Sequence, residues 1–448
     1  FGSRAIVVNL RSWDLRPSSF DPLRPLFAAS MATREARGIS EANNPPPEKK
    51  CGSISPIGVV LLIACTVLGA SYMVTTRNAG YARAQVPPVA AFHTAPKNLT
   101  AEEVVFLQGL TPQPIDDKPK SDRREYQYLQ LPNGLKMINV QDKNATQFAM
   151  SVAVDAGSFD NPVHLPGLAH FCEHMLFLGT EKYPQEDEYE RYLKDHGGYS
   201  NAFTADEMTN YYFRVNSPHL EGALERFSQF FIAPTFEPSA VDREMRAVDS
   251  ESTNYASDEG WRRIQVMKTT ADSQHPFHRF SVGNLGTLGH VGPDGVRKVL
   301  LQWNQAYYHA GIMRLAIAGR ESLDELEGLA TKLFGEVRSH PEAESPSSAV
   351  SPIPRPWTDS HLGVYLEVVP KVDERSIGVY WPLPPSKEHL YSKIESYISH
   401  VLGHEGEGSL HALLNKEGLI AGLSAGPQFS FSDAQLLGVE VALTLEGE

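Results

Sequence analysis

The sequence feature that most constrains this chain is an apolar segment that carries two histidines and a glutamate. His170, Glu173 and His174 form an H-x-x-E-H motif within this segment. Pro166 suits the first turn of a helix and Gly179 suits a stop, so the spacing predicts about three turns of helix. His170 and His174 are then one turn apart with Glu173 between them, which puts all three polar groups on one face.

This arrangement fits metal-dependent hydrolysis. Two neutral imidazoles supply nitrogen ligands to Zn²⁺, and a third protein ligand and a water complete an open catalytic site. The metal lowers the pKa of that water to about 7, and Glu173 can take the water's proton and pass it to a leaving amine. The order of residues is reversed relative to H-E-x-x-H and is typical of inverzincins. The alternative is a pair of structural histidines, which would need other polar partners in this apolar setting.

An acidic helix downstream offers the third ligand. Residues 238–251 carry apolar side chains at a helical period, and Glu244 and Glu251 are two turns apart on one face. One of them can bind zinc while the other orients a ligand histidine through its free N–H. The alternative is a solvated acidic face with no metal.

Several separated stretches agree in order and spacing with one known family. From about residue 125 onward the chain resembles the insulysin (insulin-degrading enzyme) branch of the pitrilysin, or M16, zinc metallopeptidases. The resemblance rests on four stretches: residues 170–180, 200–204, 210–213 and 247–251. It implies that His170, His174 and Glu251 bind one Zn²⁺, that Glu173 is the catalytic base, and that Glu244 is the carboxylate that supports a ligand histidine.

The resemblance also implies where a substrate binds. The family pairs its extended peptide substrate with the edge of a strand that corresponds to Ser200–Thr204, a form of β-augmentation. Asn201 and Ala202 would then lie next to the scissile bond. Taken alone, residues 197–200 are more typical of a turn.

A second binding region is implied near residue 400. By resemblance, His400, Gly403 and Glu405 form part of an exosite that holds the amino terminus of the substrate, with Leu423 on a neighbouring strand. A carboxylate such as Glu405 is a suitable receptor for an ammonium group. Without the resemblance, a glycine-rich loop that caps a helix is the default interpretation.

The expected fold class is α+β, with mainly antiparallel sheets packed against helices in pitrilysin-type domains. Strand-like alternation covers 135–140, 148–154 and 313–318, and helical periods cover 187–196, 218–231, 238–255 and 323–334. The predicted organisation is a disordered cytosolic tail at 1–52, a transmembrane signal anchor at 53–76, a linker at 77–120, a complete catalytic domain at 121–338, a linker at 339–356 and a partial second domain at 357–448. The family has about four such domains, so a C-terminal half or an oligomeric partner is expected to contribute to activity.

Composition limits the partners. The formal net charge is −14 over 448 residues, which argues against nucleic acid and is compatible with peptides or small proteins as substrates. Three cysteines cannot form a disulfide framework. Cys172 lies in the motif helix as a small buried hydrophobe or as a reactive thiol.

The N-terminal region predicts a membrane segment. Residues 57–74 are uncharged and largely apolar, and Lys49 and Lys50 precede them. We expect a single-pass signal anchor that leaves the catalytic domain lumenal or extracellular. Secretion after cleavage near Ala82-Arg83-Ala84 is the alternative. The first methionine is Met31, so the start of the protein is open.

The sequence therefore predicts a zinc metalloendopeptidase. Two alternatives remain. A non-catalytic subunit of the same superfamily would typically lack motif residues that are present here. A mitochondrial processing peptidase would carry a transit peptide poor in acidic residues, whereas Glu35, Glu41 and Glu48 lie in this N-terminal region.

Overall fold

The computed structural model of the protein describes residues 6–10, 110–116, 118–339 and 355–448. The strands in these residues are β1 (Ile6–Leu10), β2 (Leu110–Pro114), β3 (Glu125–Gln130), β4 (Lys136–Gln141), β5 (Gln147–Val154), β6 (Tyr199–Thr204), β7 (Thr209–Asn216), β8 (Met313–Gly319), β9 (Tyr365–Val368), β10 (Ser376–Leu383), β11 (Ile420–Ser430) and β12 (Gln435–Leu443). The helices are α1 (Leu168–Leu176), α2 (Glu188–Asp195), α3 (Leu220–Ile232), α4 (Pro238–Tyr255), α5 (Glu259–Thr269), α6 (Leu285–Leu288), α7 (Gly292–Tyr307), α8 (Leu323–Phe334), α9 (Ile394–Leu402) and α10 (Leu410–Lys416).

The strands form two sheets. The first sheet has seven strands in the order β2-β3-β4-β8-β5-β7-β6, and the second has five in the order β11-β12-β10-β1-β9. Neighbouring strands are antiparallel except for β4 with β8 and β1 with β9. The predicted α+β class, with mainly antiparallel sheets and helices, is confirmed.

Alternating burial explains the first sheet. In β5, Phe148, Met150, Val152 and Val154 are buried while the residues between them are more accessible. Their inner face packs against helices that supply large apolar side chains, including three phenylalanines of α3: Phe227, Phe230 and Phe231. Burial of such side chains contributes about 1.5–3 kcal/mol each, so this single core holds the motif helix α1 against the sheet.

Part of the predicted N-terminal tail belongs to the second sheet. Residues 6–10 form β1, which lies between β9 and β10, and Ile6 and Val8 are fully buried there. The prediction of a disordered tail is therefore wrong for these residues. The physical reason is that this short β-branched segment pairs with strands more than 350 positions away, so its local sequence does not reveal its partners. One such contact is the hydrogen bond from Asn9 to Tyr365, residues that are 356 positions apart.

This pairing also bears on the predicted membrane arrangement. A single span at 57–74 with a cytosolic tail would separate residues 6–10 from the catalytic domain, yet β1 pairs with β9 and β10 of the same body. The structure does not support the predicted separation. The segment 57–74 itself lies outside the described residues, and within those residues no helix has the length and apolar character needed to cross a bilayer.

The predicted linkers are only partly described. Residues 110–114, inside the predicted linker 77–120, form β2 and pair with β3. Most of the linker 339–356 lies outside the described residues. Near Trp357, where the sequence predicts the start of the second domain, the buried indole N–H donates to Thr270 Oγ1 at 3.0 Å. Helix α5 contacts the second sheet through Arg263, whose guanidinium lies 2.9 Å from Glu374 and 3.3 Å from Glu440.

Candidate metal centre and peptide cleft

Helix α1 places the H-x-x-E-H motif at the edge of the core. Its apolar side, with Phe171 and Met175, is fully buried. The imidazoles of His170 and His174 lie on the other side, 4.8 Å apart between ring centroids and perpendicular to each other. The helix starts after Gly167, and its second amide, that of Ala169, donates to Asn161 Oδ1 at 2.7 Å.

A close glycine contact fixes the orientation of the first histidine. Gly167 has a φ of 97°, and a Cβ added to it would lie 2.2 Å from the Cα of Gly283. This approach brings the neighbouring Val282 carbonyl to 2.7 Å from His170 Nδ1. A carbonyl oxygen can only accept, so Nδ1 carries the proton and Nε2 is left with its lone pair facing the cleft.

Helix α4 supplies two carboxylates to the same place. Glu251 Oε2 lies 3.5 Å from His170 Nε2 and 3.5 Å from His174 Nε2. Glu244 Oε2 lies 3.5 Å from the other nitrogen of His174, Nδ1. Glu251 therefore faces the Nε2 atoms of both histidines, whereas Glu244 lies at the opposite nitrogen of the His174 ring.

The electrostatics of this cluster favour a cation. Burial lowers the pKa of His174, but its close contacts with the carboxylates of Glu244 and Glu251 outweigh burial and raise that pKa to about 9. The contact with His174 lowers the pKa of Glu251 to about 2. Burial and the neighbouring His174 lower the pKa of His170. One positive charge is therefore held among these groups. When no metal is bound, the proton on His174 supplies this charge.

The donor set fits a zinc ion. One atom each from His170, His174 and Glu251 lies within 4.8 Å of the others, and Glu251 Oε2 is a buried oxygen without a hydrogen-bond partner in the described structure. The second oxygen of this carboxylate accepts a hydrogen bond from Tyr255, whose ring stacks on Trp261 at 4.2 Å between centroids. Two imidazoles and one carboxylate with an open side are a common ligand set of catalytic zinc.

Glu173 lies beside the cluster in a different environment. Its side chain is 8% exposed, and its Oε2 accepts a hydrogen bond from Thr204 Oγ1 at 2.5 Å. Burial raises the pKa of Glu173 to about 6, against the opposing effect of Thr204. A carboxylate that titrates close to neutrality is suited to accept and return a proton.

The metal cluster and strand β6 share one cleft. A cavity of about 570 Å³ is lined by His170, Glu173, His174 and Glu251 and also by residues 201–206. Among the described residues, β6 is the edge strand of its sheet and pairs only with β7. Asn201 and Ala202 therefore lie along a free strand edge that opens into the cleft, although the Asn201 side chain accepts a hydrogen bond from the Ala202 amide at 2.9 Å.

Several groups in this cleft were not expected from the sequence, among them Tyr255, Trp261 and Lys268. The strand of Thr204 was expected at the substrate, but the hydrogen bond from Thr204 to Glu173 was not. Only Tyr255 carries a signal that could have found it, because it follows Glu251 by one helical turn. Lys268 is buried, with Nζ 3.7 Å from Asp206 and 3.4 Å from the carbonyls of Phe277 and Arg279.

The predicted exosite residues are partly together. His400, Gly403 and Leu423 line a second cavity of about 540 Å³ against the edge strand β11. Glu405 is exposed and does not line it. β11 remains paired with β12 through Ala425 and Pro427, with a register shift after Pro427, so proline is accommodated at the sheet edge.

Comparison with known proteins places the chain among related sequences. A model of the insulinase family, peptidase family M16, matches residues 136–275, and a model of the M16 inactive domain matches residues 296–446. The chain is 42% identical to the A-factor-processing enzyme of Saccharomyces cerevisiae over 80% of its length, and 41% identical to the insulin-degrading enzyme of Homo sapiens over 74% of its length. These alignments cover 34% and 32% of the two relatives, so the chain spans about a third of their length.

A solved structure extends the agreement to the fold. The crystal structure of pitrilysin superposes with a TM-score of 0.69 at 32% identity, covering 75% of this chain and 36% of that one. The two family models follow each other along the chain and together span residues 136–275 and 296–446. The chain therefore belongs to the M16 (insulinase) family of peptidases.

Proposed function

We propose that this chain carries the catalytic centre of a zinc-dependent metalloendopeptidase of the insulysin type. The observation that carries the proposal is the convergence of His170 Nε2, His174 Nε2 and Glu251 Oε2 beside the buried carboxylate of Glu173, in a cleft bordered by a free strand edge. His170, His174 and Glu251 would hold the Zn²⁺. When bound there, zinc acts as a Lewis acid towards water and the scissile carbonyl.

Glu173 is the proton carrier in this proposal. Its carboxylate accepts a proton from the attacking water and donates it to the nitrogen of the departing amine. Thr204 holds the carboxylate in place through its hydroxyl and keeps part of it ionised near neutral pH. Burial favours the protonated form instead. Because these two effects oppose each other, the Glu173 carboxyl can both accept and release a proton near neutral pH.

The remaining residues position the ligands. The Val282 carbonyl selects the tautomer of His170, and Tyr255 holds the far oxygen of Glu251. Glu244 has the corresponding role at Nδ1 of His174. Such supporting groups typically change metal affinity by about 10- to 100-fold when removed.

The substrate would bind as an extra strand. Asn201 and Ala202 offer backbone groups of β6 to an extended peptide, and alternate side chains of that peptide would enter the cleft. For this to occur, the Asn201 side chain must release the Ala202 amide. We further propose that His400, Gly403 and Leu423, with Glu405 nearby, receive the amino terminus of the substrate, and that a C-terminal half or partner completes the enzyme.

The test compares zinc content with peptide cleavage in the full-length gene product. Glu173→Gln should retain one zinc per chain and lose cleavage of a fluorogenic peptide, whereas Glu251→Gln should lose both. Glu181→Gln, at an exposed position, is the matched control and should change neither. A protein that binds no zinc at these ligands would leave the non-catalytic subunit as the better account.

A further inference from the structure

A buried lysine lines the proposed catalytic cleft. Lys268, on α5, borders the same cavity as Glu173 and residues 201–206, and its side chain is only 4% exposed. Burial lowers the pKa of the Lys268 ammonium, and the carboxylate of Asp206 opposes this effect. A buried ammonium is unfavourable unless it is paired. The contacts of Lys268 therefore indicate its role.

The ammonium of Lys268 is engaged by the protein itself. Its Nζ lies 3.4 Å from the carbonyl oxygens of Phe277 and Arg279 and 3.7 Å from Asp206 Oδ1. The Phe277 ring centroid is also 4.8 Å from Nζ. An ammonium has three N–H donors, and these three oxygens match them in number. This favours a role for Lys268 in holding Asp206 over a direct contact with the peptide.

Asp206 belongs to the turn that follows β6. The backbone of this turn accepts the amides of Ser158 and Phe159 at the carbonyls of Ala205 and Asp206, at 2.9 and 2.8 Å. The carboxylate of Asp206 also accepts from Ser158 Oγ at 3.2 Å and pairs with Lys268. The backbone hydrogen bonds attach the turn to residues 158–159, and the ion pair attaches it to α5.

The position of this turn determines where the support of Glu173 lies. Thr204 is the last residue of β6, two positions before Asp206, and its hydroxyl donates to Glu173 Oε2 at 2.5 Å. A shift of the turn would therefore move this donor relative to Glu173. A misplacement of about 1 Å can lower a rate by about a hundredfold.

Helix α5 also supports the metal ligands. Trp261 precedes Lys268 by seven positions, so the two side chains are two turns apart on one face of α5. The Trp261 ring stacks on Tyr255, and Tyr255 donates to Glu251. One helix therefore contacts the residues that support a metal ligand and the turn that supports the proton carrier.

We propose that Lys268 is a positioning residue for the proton transfer: its ion pair with Asp206 fixes the turn after β6 and so holds the Thr204 hydroxyl against Glu173. This inference rests on the proposed function, because it assigns Lys268 to the same reaction. Asn201 and Ala202 lie earlier in β6, where pairing with β7 fixes the backbone. Loss of the ion pair should therefore lower kcat and leave substrate and zinc binding in place.

Steady-state kinetics of the full-length gene product test this proposal. At pH 5.5, Asp206→Asn and Lys268→Met should each lower kcat about tenfold, with KM within about twofold of wild type and one zinc per chain. Lys332→Met is the matched control, since it removes a lysine from a surface ion pair with Glu221 at 2.8 Å, and it should change none of these values. An unchanged kcat, or a raised KM with kcat unchanged, would overturn the proposal.

A double variant tests whether the ion pair acts through Thr204. If it does, adding Asp206→Asn to Thr204→Val should lower kcat by less than about a further twofold, because the hydroxyl that the turn positions is already gone. Losses that multiply in the double variant would overturn the proposal. A wild-type kcat in Asp206→Asn beside an inactive Glu173→Gln would overturn the role of Lys268 alone, whereas wild-type cleavage by Glu173→Gln would overturn the proposed function as well.

Discussion

Thr204 offers a direct way to change the chemistry of Glu173 without touching the metal ligands. Its hydroxyl donates to Glu173 Oε2 at 2.5 Å, and the acceptor carboxylate is buried. Thr204→Val removes this donor but keeps the branched shape and the backbone of β6. We expect the variant to fold, to bind zinc and to have a Glu173 carboxyl that ionises at higher pH.

The magnitude follows from the hydrogen bond. A bond to a charged group contributes about 1.5–3 kcal/mol, and one pKa unit corresponds to about 1.4 kcal/mol, so the pKa of Glu173 should rise by about one to two units. The starting value is about 6 because burial already favours the protonated form. Since Glu173 must be ionised to accept a proton, activity is lost as pH falls through this pKa, and the acidic limb should move to about pH 7–8.

The assay is the pH dependence of kcat/KM for a fluorogenic peptide, with zinc content measured in parallel. Thr204→Val should be about 10- to 100-fold less active at pH 5.5 and close to wild type above pH 9. Thr204→Ser, which keeps the hydroxyl, should retain the wild-type profile. An equal loss at every pH, or an unchanged limb, would refute the assignment of Glu173 as the base held by Thr204.

Three further predictions concern the ligands and their support. Tyr255→Phe removes the hydrogen bond to Glu251 and should weaken zinc binding about 10- to 100-fold in a chelator competition, with no change in the fold by circular dichroism. Zinc must displace the proton that His174 holds below about pH 9, so the apparent zinc affinity should rise about tenfold per pH unit up to about pH 9 and then level off. A zinc affinity that does not change with pH would contradict the assigned protonation of His174. Gly167→Ala places a Cβ 2.2 Å from the Cα of Gly283 at a φ of 97°, so the free energy of unfolding should fall by about 2–3 kcal/mol in denaturant titrations, and a variant as stable as wild type would disprove this contact.

Regular elements with a strong periodicity were predictable from the sequence. The bounds predicted for the helices at 238–255 and 323–334 agree with α4 and α8, because both bury apolar residues at a helical period. The start of α8 is also marked by a capping residue. Ser322 illustrates this, since its side chain accepts from the Glu325 amide and caps α8. By contrast, β1 has five residues and no local partner, so its pattern alone could not distinguish it from a tail.

The candidate site was predictable where its residues share one element. His170, Glu173 and His174 share a helical face, and the spacing of Glu244 and Glu251 puts both on one side of α4. Which of the two carboxylates lies at Nε2 of the histidines depends on how α1 and α4 pack, which spacing does not encode.

The supporting groups come from elsewhere in the chain. The Val282 carbonyl reaches His170 across 112 positions, and Thr204 reaches Glu173 across 31. Only the close approach of Gly167 and Gly283 makes the first of these contacts available. Neither glycine signals that contact in its local sequence, because a glycine that permits close approach resembles one that ends a helix.

The central claim is that Glu173 moves the proton while His170, His174 and Glu251 hold the zinc. The most direct measurement is the zinc stoichiometry of purified Glu173→Gln together with its rate of peptide cleavage. We predict one zinc per chain, as in wild type, and a cleavage rate lower by at least about a hundredfold. A Glu173→Gln protein that keeps its zinc and cleaves peptides at the wild-type rate would contradict the account.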